Sequence, residues 1–260
     1  MATSYDPTVP APSGPGAASF ERAPAKLTVG LRVVGVRADG LHLVDAEMVT
    51  VDLFDDLEIT EGPGLDRLEI RGATGLPVVA DDDNLVRRAL RLVERSARVV
   101  LTKRIPAGAG LGGGSADAAA VLRWAGFDDE VAAAELGADV SFCLRGGRAR
   151  VTWIGEQVEA LAPEPRSFTL ATPPFGCSTP AVYRAWDDLG GPRGAGPNDL
   201  EAAALRVEPR LAEWRDELAR ATGERPILAG SGSTWFVPGE FPGAGRVVRT
   251  VGWNGSEWSH

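Results

Sequence analysis

Cysteine and histidine are almost absent from this chain of 260 residues, which holds two of each: Cys143 and Cys177, His42 and His260. Neither cysteine belongs to a CxxC pair or a Cys/His cluster, and two histidines are too few for an obvious zinc site. No metal-ligand set is therefore expected, and the cysteines read as reduced thiols of a cytoplasmic protein. There is no run of 18 or more apolar residues, so no transmembrane helix is expected. Basic surplus is missing too. The formal net charge of −9 is the opposite of a nucleic-acid binder's footprint. An anionic nucleotide can still be held by backbone dipoles and a few lysines, because net charge speaks to solubility and not to the site. The opening residues lack the basic and apolar regions of a secretory signal. Their Pro, Ala, Gly and Ser content reads as a disordered tail over residues 1–20.

What is present is ordinary for a globular protein, 44% hydrophobic and 24% charged, at a length that suits one large domain or two modest ones. Leu27, Val29, Leu31 and Val33 alternate as one face of a strand. Arg37–Gly40 has turn chemistry, and β-type residues resume after it as a hairpin or meander. A short strand is expected at Leu68–Arg71. In DDDNLVRRALRLVERSA, apolar residues from Leu85 to Val93 recur at helical spacing, with Asp82 or Asp83 as N-cap. A strand ending at Pro106 follows, then a Gly-rich loop, then a helix to about Arg123. Further strands are expected near Arg148–Trp153, at Phe168–Thr172 and around ILAGSGSTWFV. Helices are expected from about Thr179, Asn198 and Leu211, and a loop at Gly190–Pro197. Strands dominate early and helices alternate later, which predicts an α+β fold of two subdomains.

The run IPAGAGLGGGSADAAAVL places the conformationally most costly residues against a helix start. Backbone amides of such a loop, together with a helix N-terminus, form a ready anion site. The run lacks the GK[ST] ending of a Walker A loop. It contains GxGxxG within Gly108–Gly113, but the preceding strand is charged and no acidic residue ends a second parallel strand about 20 positions on, as a dinucleotide fold requires. Strand, Gly-rich loop and helix in that order favour phosphate binding over a purely structural loop.

PAGAGLGGGSADAAA resembles the phosphate loop of the GHMP kinase superfamily. Ordered matches elsewhere are similar to that superfamily too: Ala23–His42, Asp83–Ala89, Gly137–Gly147, Ser178–Tyr183, Asn198–Glu201 and Ala229–Phe236. The GLGGG-S variant resembles the branch acting on a cytidyl-diphosphate methylerythritol. The resemblance implies a two-subdomain fold, with an N-terminal ATP-binding domain at 21–160, a C-terminal domain at 161–260 and the site between them. It implies ATP-dependent phosphorylation of the acceptor's 2-hydroxyl, in non-mevalonate isoprenoid synthesis, by a monomer or homodimer with no nucleic-acid or membrane partner. ATP would come with Mg²⁺, held mainly by phosphate oxygens and water.

By the same resemblance, Asp139 and Lys26 face the hydroxyl, the carboxylate to accept its proton and the ammonium to stabilise the transferring phosphoryl. Pro106, Ala107, Gly108, Ala109, Gly110, Leu111, Gly112, Gly113, Gly114, Ser115 and Ala116 would wrap the ATP phosphates. Ser115 would lie near Mg²⁺, cap the following helix, or both. Asn84 and Lys103 match positions close to the adenosine. On the acceptor side stand Thr28, Leu41, His42, Thr179 and Tyr183, with Gly230, Ser231 and Gly232 in a second Gly loop behind the substrate phosphates.

Three features depart from the pattern. Leu41 replaces a tyrosine that stacks on one face of cytosine, leaving Tyr183 for the other face and His42 for the base edge. Thr28 replaces an amide that helps hold the methylerythritol end. The stretch from Ala120 to Gly137 is short for the two helices the family places there. A kinase of another small alcohol and a nucleotide-binding regulator without turnover are the competing readings, and retention of both Lys26 and Asp139 speaks against the second.

Overall fold

The structure, a computed structural model, describes residues 16–72 and 76–252. Most of the expected tail, residues 1–15, lies outside them, as does His260. Residues 18–20 do not belong to a tail, because β1 (Ala18–Val36) already starts there and pairs Ala18, Ser19 and Phe20 with Thr60, Ile59 and Glu58.

The organising strand is β2 (His42–Glu61), antiparallel to β1 along nearly its whole length. Its other edge is shared. Residues Val44–Val49 pair with β5 (Arg148–Trp153), and residues Asp56–Glu61 pair with β4 (Ala97–Thr102). Outside β4 lies β3 (Asp66–Arg71), parallel to it, the two joined through α1 (Leu85–Leu92). Outside β5 lies β6 (Gln157–Ala160), which completes a six-stranded sheet. A separate antiparallel sheet has the order β10 (Arg246–Arg249), β7 (Ser167–Ala171), β9 (Trp235–Pro238), β8 (Ile227–Leu228). The α+β class with two sheet-centred halves is thus the observed fold.

Alternation is clear in the later part of β2, where Val51, Leu53, Leu57 and Ile59 are buried and Asp52, Phe54, Asp56 and Glu58 less so. In β1 it fails. Register shifts between Pro24 and Lys26 and between Thr28 and Gly30 break the period, and Ala23–Thr28 are buried without a gap. Leu27, Leu31 and Val33 keep their inward face, while Val29 is only partly covered. Against β1 packs α2 (Gly113–Trp124), flanked by α1 and by α4 (Val140–Arg145). The shortened stretch after α2 holds one further helix, α3 (Glu130–Ala134). It is only five residues long and is capped by the Asp129 carboxylate on the Val131 and Ala132 amides. The second half carries α5 (Thr179–Asp188), α6 (Glu201–Val207) and α7 (Leu211–Thr222).

Four expectations need local correction. The N-cap of α1 is Asn84, not Asp82 or Asp83: its side chain accepts from the Val86 amide at 2.9 Å and donates to the Val79 carbonyl at 2.7 Å. The strand expected to reach Pro106 ends at Thr102, because the amides of Arg104 and Ile105 turn aside to donate to the buried Asp55 carboxylate. The N-cap of α2 is Gly112 at φ +68°, and Ser115 is the third helical residue. The single strand expected around ILAGSGSTWFV is two, β8 and β9, with a Gly loop between them.

Candidate active site

A cleft of about 1010 Å³ runs between the two halves, and nearly all the residues singled out in the sequence line it. At its centre Lys26 and Asp139 meet. Lys26 sits in β1 next to a bulge and is 5% exposed, its amide donating to the Leu111 carbonyl at 3.0 Å. Its Nζ lies 3.1 Å from Asp139 Oδ2 and donates to Thr28 Oγ1 at 3.0 Å. Asp139 occupies the N-cap position of α4, but its side chain caps nothing. The carboxylate is left to Lys26 and the cleft. Thr28, expected to reach the acceptor, is buried with its hydroxyl committed to Lys26, so its first effect is to orient that ammonium.

Beside this pair the Gly-rich loop delivers the start of α2. Gly112 is the N-cap without a side-chain bond, and the amides of Gly113, Gly114 and Ser115 have no acceptor among the described residues. The Ser115 hydroxyl likewise has no hydrogen-bond partner among them. Three free amides at the positive end of a twelve-residue helix form an anion cradle. Two loop glycines are required by close approach. A Cβ on Gly112 would stand 2.6 Å from Lys26 Cγ, and one on Gly110 (φ +78°) would overlap the Ala229 carbonyl oxygen.

The second Gly loop, Ala229–Thr234, packs directly on the first, with the Thr234 amide donating to the Ala109 carbonyl at 3.1 Å. Gly230 faces Lys26 and Thr28. Asn198 staples this loop through bonds to the Leu228 and Gly230 carbonyls at 2.8 and 2.7 Å, a role its motif did not reveal. Gly232 packs toward Leu228 and Cys177, away from the cleft lining, whereas Ser231 shares a 2.8 Å hydrogen bond with Thr179 of α5 at the cleft wall.

The far end of the cleft holds Leu41, His42 and Tyr183. Leu41 is 46% exposed. The His42 and Tyr183 rings, expected at the edge and on the face of one base, touch each other, with centroids 4.6 Å apart and planes tilted by 34°. His42 Nε2 also meets Asp187 Oδ1 at 2.9 Å, a partner that sequence reasoning missed. Burial, reinforced by the charge of Asp139, raises the Tyr183 hydroxyl above its ordinary pKa, so it stays protonated.

Lys103, matched to a position close to the adenosine, lines the cleft and is held from below by two carboxylates. It is buried under the loop, its Nζ donating to Asp55 and to Asp117 Oδ2, the latter at 2.7 Å. Burial acts to lower its pKa, but the two carboxylates outweigh it and hold the ammonium above its usual value. Asp117 is pushed up to about 8 by burial, with Lys103 opposing and Asp55 adding to the rise. Asn84, through its capping bonds, also has a local structural task, while still lining the cleft.

Residues 84–147, which contain the loop, Lys103 and Asp139, match the GHMP kinases N terminal domain. The chain is 37% identical to the 4-diphosphocytidyl-2-C-methyl-D-erythritol kinase of Bacillus pumilus over 84% of its length and 86% of the relative. With the kinase of that name from Paracoccus denitrificans the identity is 37%, over 92% of this chain and 94% of that one. The chain belongs to the 4-diphosphocytidyl-2-C-methyl-D-erythritol kinase family. A solved structure of a 4-(cytidine 5'-diphospho)-2C-methyl-D-erythritol kinase superposes with a TM-score of 0.71 at 33% identity, covering 90% of this chain and all of that one. A homoserine kinase from Cytophaga hutchinsonii shares the fold alone, at 18% identity and a TM-score of 0.54. The kinase family thus accounts for strand, Gly loop and helix appearing in that order.

Proposed function

We propose that this protein transfers the γ-phosphoryl group of ATP to the 2-hydroxyl of 4-diphosphocytidyl-2-C-methyl-D-erythritol, giving its 2-phosphate and ADP. The observation that carries this reading is the Lys26–Asp139 pair, 3.1 Å apart in a cleft that also holds the uncapped start of α2. Asp139 takes the proton of the acceptor hydroxyl as its oxygen bonds to the γ-phosphorus. The bond to the bridging oxygen breaks, and ADP leaves with that electron pair. Lys26, aimed by Thr28, balances charge on the attacking oxygen and the phosphoryl oxygens. The amides of Gly113, Gly114 and Ser115 hold the phosphates.

Mg²⁺ bound with the nucleotide would supply neutralisation of phosphate charge, and would be held here mainly through the phosphates and water. The unpartnered Ser115 hydroxyl in the first turn of α2 is the side chain suited to reach it. Tyr183, His42 and Leu41 form the base end of the acceptor site, and Thr179, Ser231 and Gly230 its middle. Assignment of β6 and β7 to different sheets supports a division near residue 160, with the N-terminal part mainly for ATP and the C-terminal part for acceptor. In this reading the enzyme is cytoplasmic and works on small molecules alone, as a monomer or homodimer.

The test is ATP-dependent turnover followed by ADP release and the phosphorus spectrum. The cytidyl compound is compared with free methylerythritol, homoserine and mevalonate. A new phosphomonoester on the cytidyl compound alone is expected. ATP binding without that product would assign the chain to another acceptor.

A further inference from the structure

The phosphate loop is anchored at both ends by one buried charge cluster that the phosphoryl-transfer step does not use. Asp55 lies in β2 at the position where the strand's alternation calls for an apolar residue, between buried Leu53 and Leu57. One of its carboxylate oxygens accepts from the amides of Arg104 and Ile105, where the loop begins. The other accepts from Lys103 Nζ. Lys103 reaches on to Asp117 Oδ2 at 2.7 Å, one turn into α2, where the loop has ended. The ammonium lies directly beneath the anion cradle, since a Cβ added to Gly113 would stand 3.1 Å from Lys103 Nζ. All three side chains are buried, and Asp117 Oδ1 has no hydrogen-bond partner among the described residues.

Buried charges cost free energy to desolvate, and a hydrophobic trio would often stabilise a fold as well. What an ion cluster supplies in addition is a defined geometry, with fixed lengths between β2, the loop entry and the helix start. We propose that Asp117 and Lys103 are positioning residues for the nucleotide phosphates: through Lys103, Asp55 and Asp117 hold the first turn of α2 in the register at which its free amides meet the phosphate oxygens. Lys103 thus acts on the phosphates through the loop, and not on the nucleoside by contact. The inference rests on the ATP reading given above.

Asp117→Leu keeps the branching at Cγ, though with a bulkier side chain, and leaves Lys103 paired one-to-one with Asp55, and Asp117→Ala tests the same loss without the added apolar atoms. Equilibrium binding of ATP, ADP and adenosine to the full chain is measured for each. ATP and ADP are expected to weaken about tenfold or more, the size of one charge-assisted hydrogen bond expressed as affinity. Adenosine binding stays unchanged, and Asp117→Asn, whose amide oxygen can still accept from Lys103, restores ATP binding. Parallel loss of adenosine would overturn the proposal in favour of nucleoside contact, and unchanged ATP affinity in either apolar variant would overturn it outright. Failure of the wild-type protein to bind ATP would instead count against the functional reading.

Discussion

Asp139 Oδ2 stands 3.1 Å from Lys26 Nζ, and the carboxylate lies at a helix start without capping it. An Asp at that place would ordinarily bond the second or third amide of its helix. Here the side chain instead faces a buried ammonium that is itself held by Thr28. The pair is therefore the chemical centre of the cleft. Asp139→Asn is expected to lower turnover by about 10²–10⁴-fold, the usual worth of a positioned general base. ATP affinity should change little, because the phosphates are held by backbone amides elsewhere. ADP-release assays beside equilibrium ATP binding check this, and a variant that keeps a tenth of the wild-type turnover would remove Asp139 from the role of base.

The acceptor end offers a gain-of-affinity test. Leu41 is 46% exposed at the cleft, and Tyr183 has a ring neighbour in His42. A second aromatic at position 41 would supply base stacking worth about 1–3 kcal/mol, or roughly five- to a hundredfold in affinity. Leu41→Tyr should thus lower KM for the cytidyl substrate and leave KM for ATP alone. An unchanged acceptor KM would mean that the base does not reach Leu41.

Gly112 separates two effects that glycines combine. Its φ of +68° costs a side-chain-bearing residue about 1–2 kcal/mol, and the added Cβ would lie 2.6 Å from Lys26 Cγ. Gly126, at φ +72°, has the same backbone demand with nothing within 4 Å of its Cβ position. Both Gly112→Ala and Gly126→Ala should lower the urea midpoint, but only Gly112→Ala should also cut turnover, since it displaces Lys26. Wild-type turnover in Gly112→Ala would show that the Lys26 stem can yield without effect.

Much of this site was legible because its chemistry resides in contiguous motifs, so Lys26, Asp139 and the Gly loop could be named before their distances were known. The purpose of the glycines was only partly legible. Gly110 and Gly112 are demanded by the Ala229 loop and by Lys26, contacts made across the fold, and not by phosphate approach alone. The partners of Lys103 were missed because a motif records position and not partner. A signal for its partners did exist: Asp55 falls in phase with Leu53 and Leu57, and Asp117 interrupts an alanine run on a helix packed against β1. A carboxylate in a buried phase implies a buried cation. The short elements α3, α4, β6 and β10 escaped, since so few residues hold little of either period; the equally short β3, β5 and β7 were expected from their apolar and β-branched residues. The bulges of β1 are set by its pairing with β2, and local pattern does not carry them.

The buried cluster also makes a prediction about pH. Asp55 accepts two amides besides Lys103, so it is the better-stabilised anion of the two. Asp117, with Oδ1 unpartnered, is the one whose pKa burial raises, from 3.8 to about 8. Between those values the folded protein holds a proton that the unfolded chain has released. Stability from this group is therefore complete below about pH 4 and is lost as pH rises through about 8. Asp117→Asn removes the titration while keeping an oxygen for Lys103. The stability difference between wild type and Asp117→Asn, taken from urea unfolding at several pH values, should shift in favour of the Asn variant as pH rises from 5 to 8 (a window about three units wide), and then level off. Taking the difference cancels the other titrating groups common to both proteins. A flat difference across that window would mean that Asp117 is ionised in the folded state throughout, with Lys103 neutralising it despite the burial.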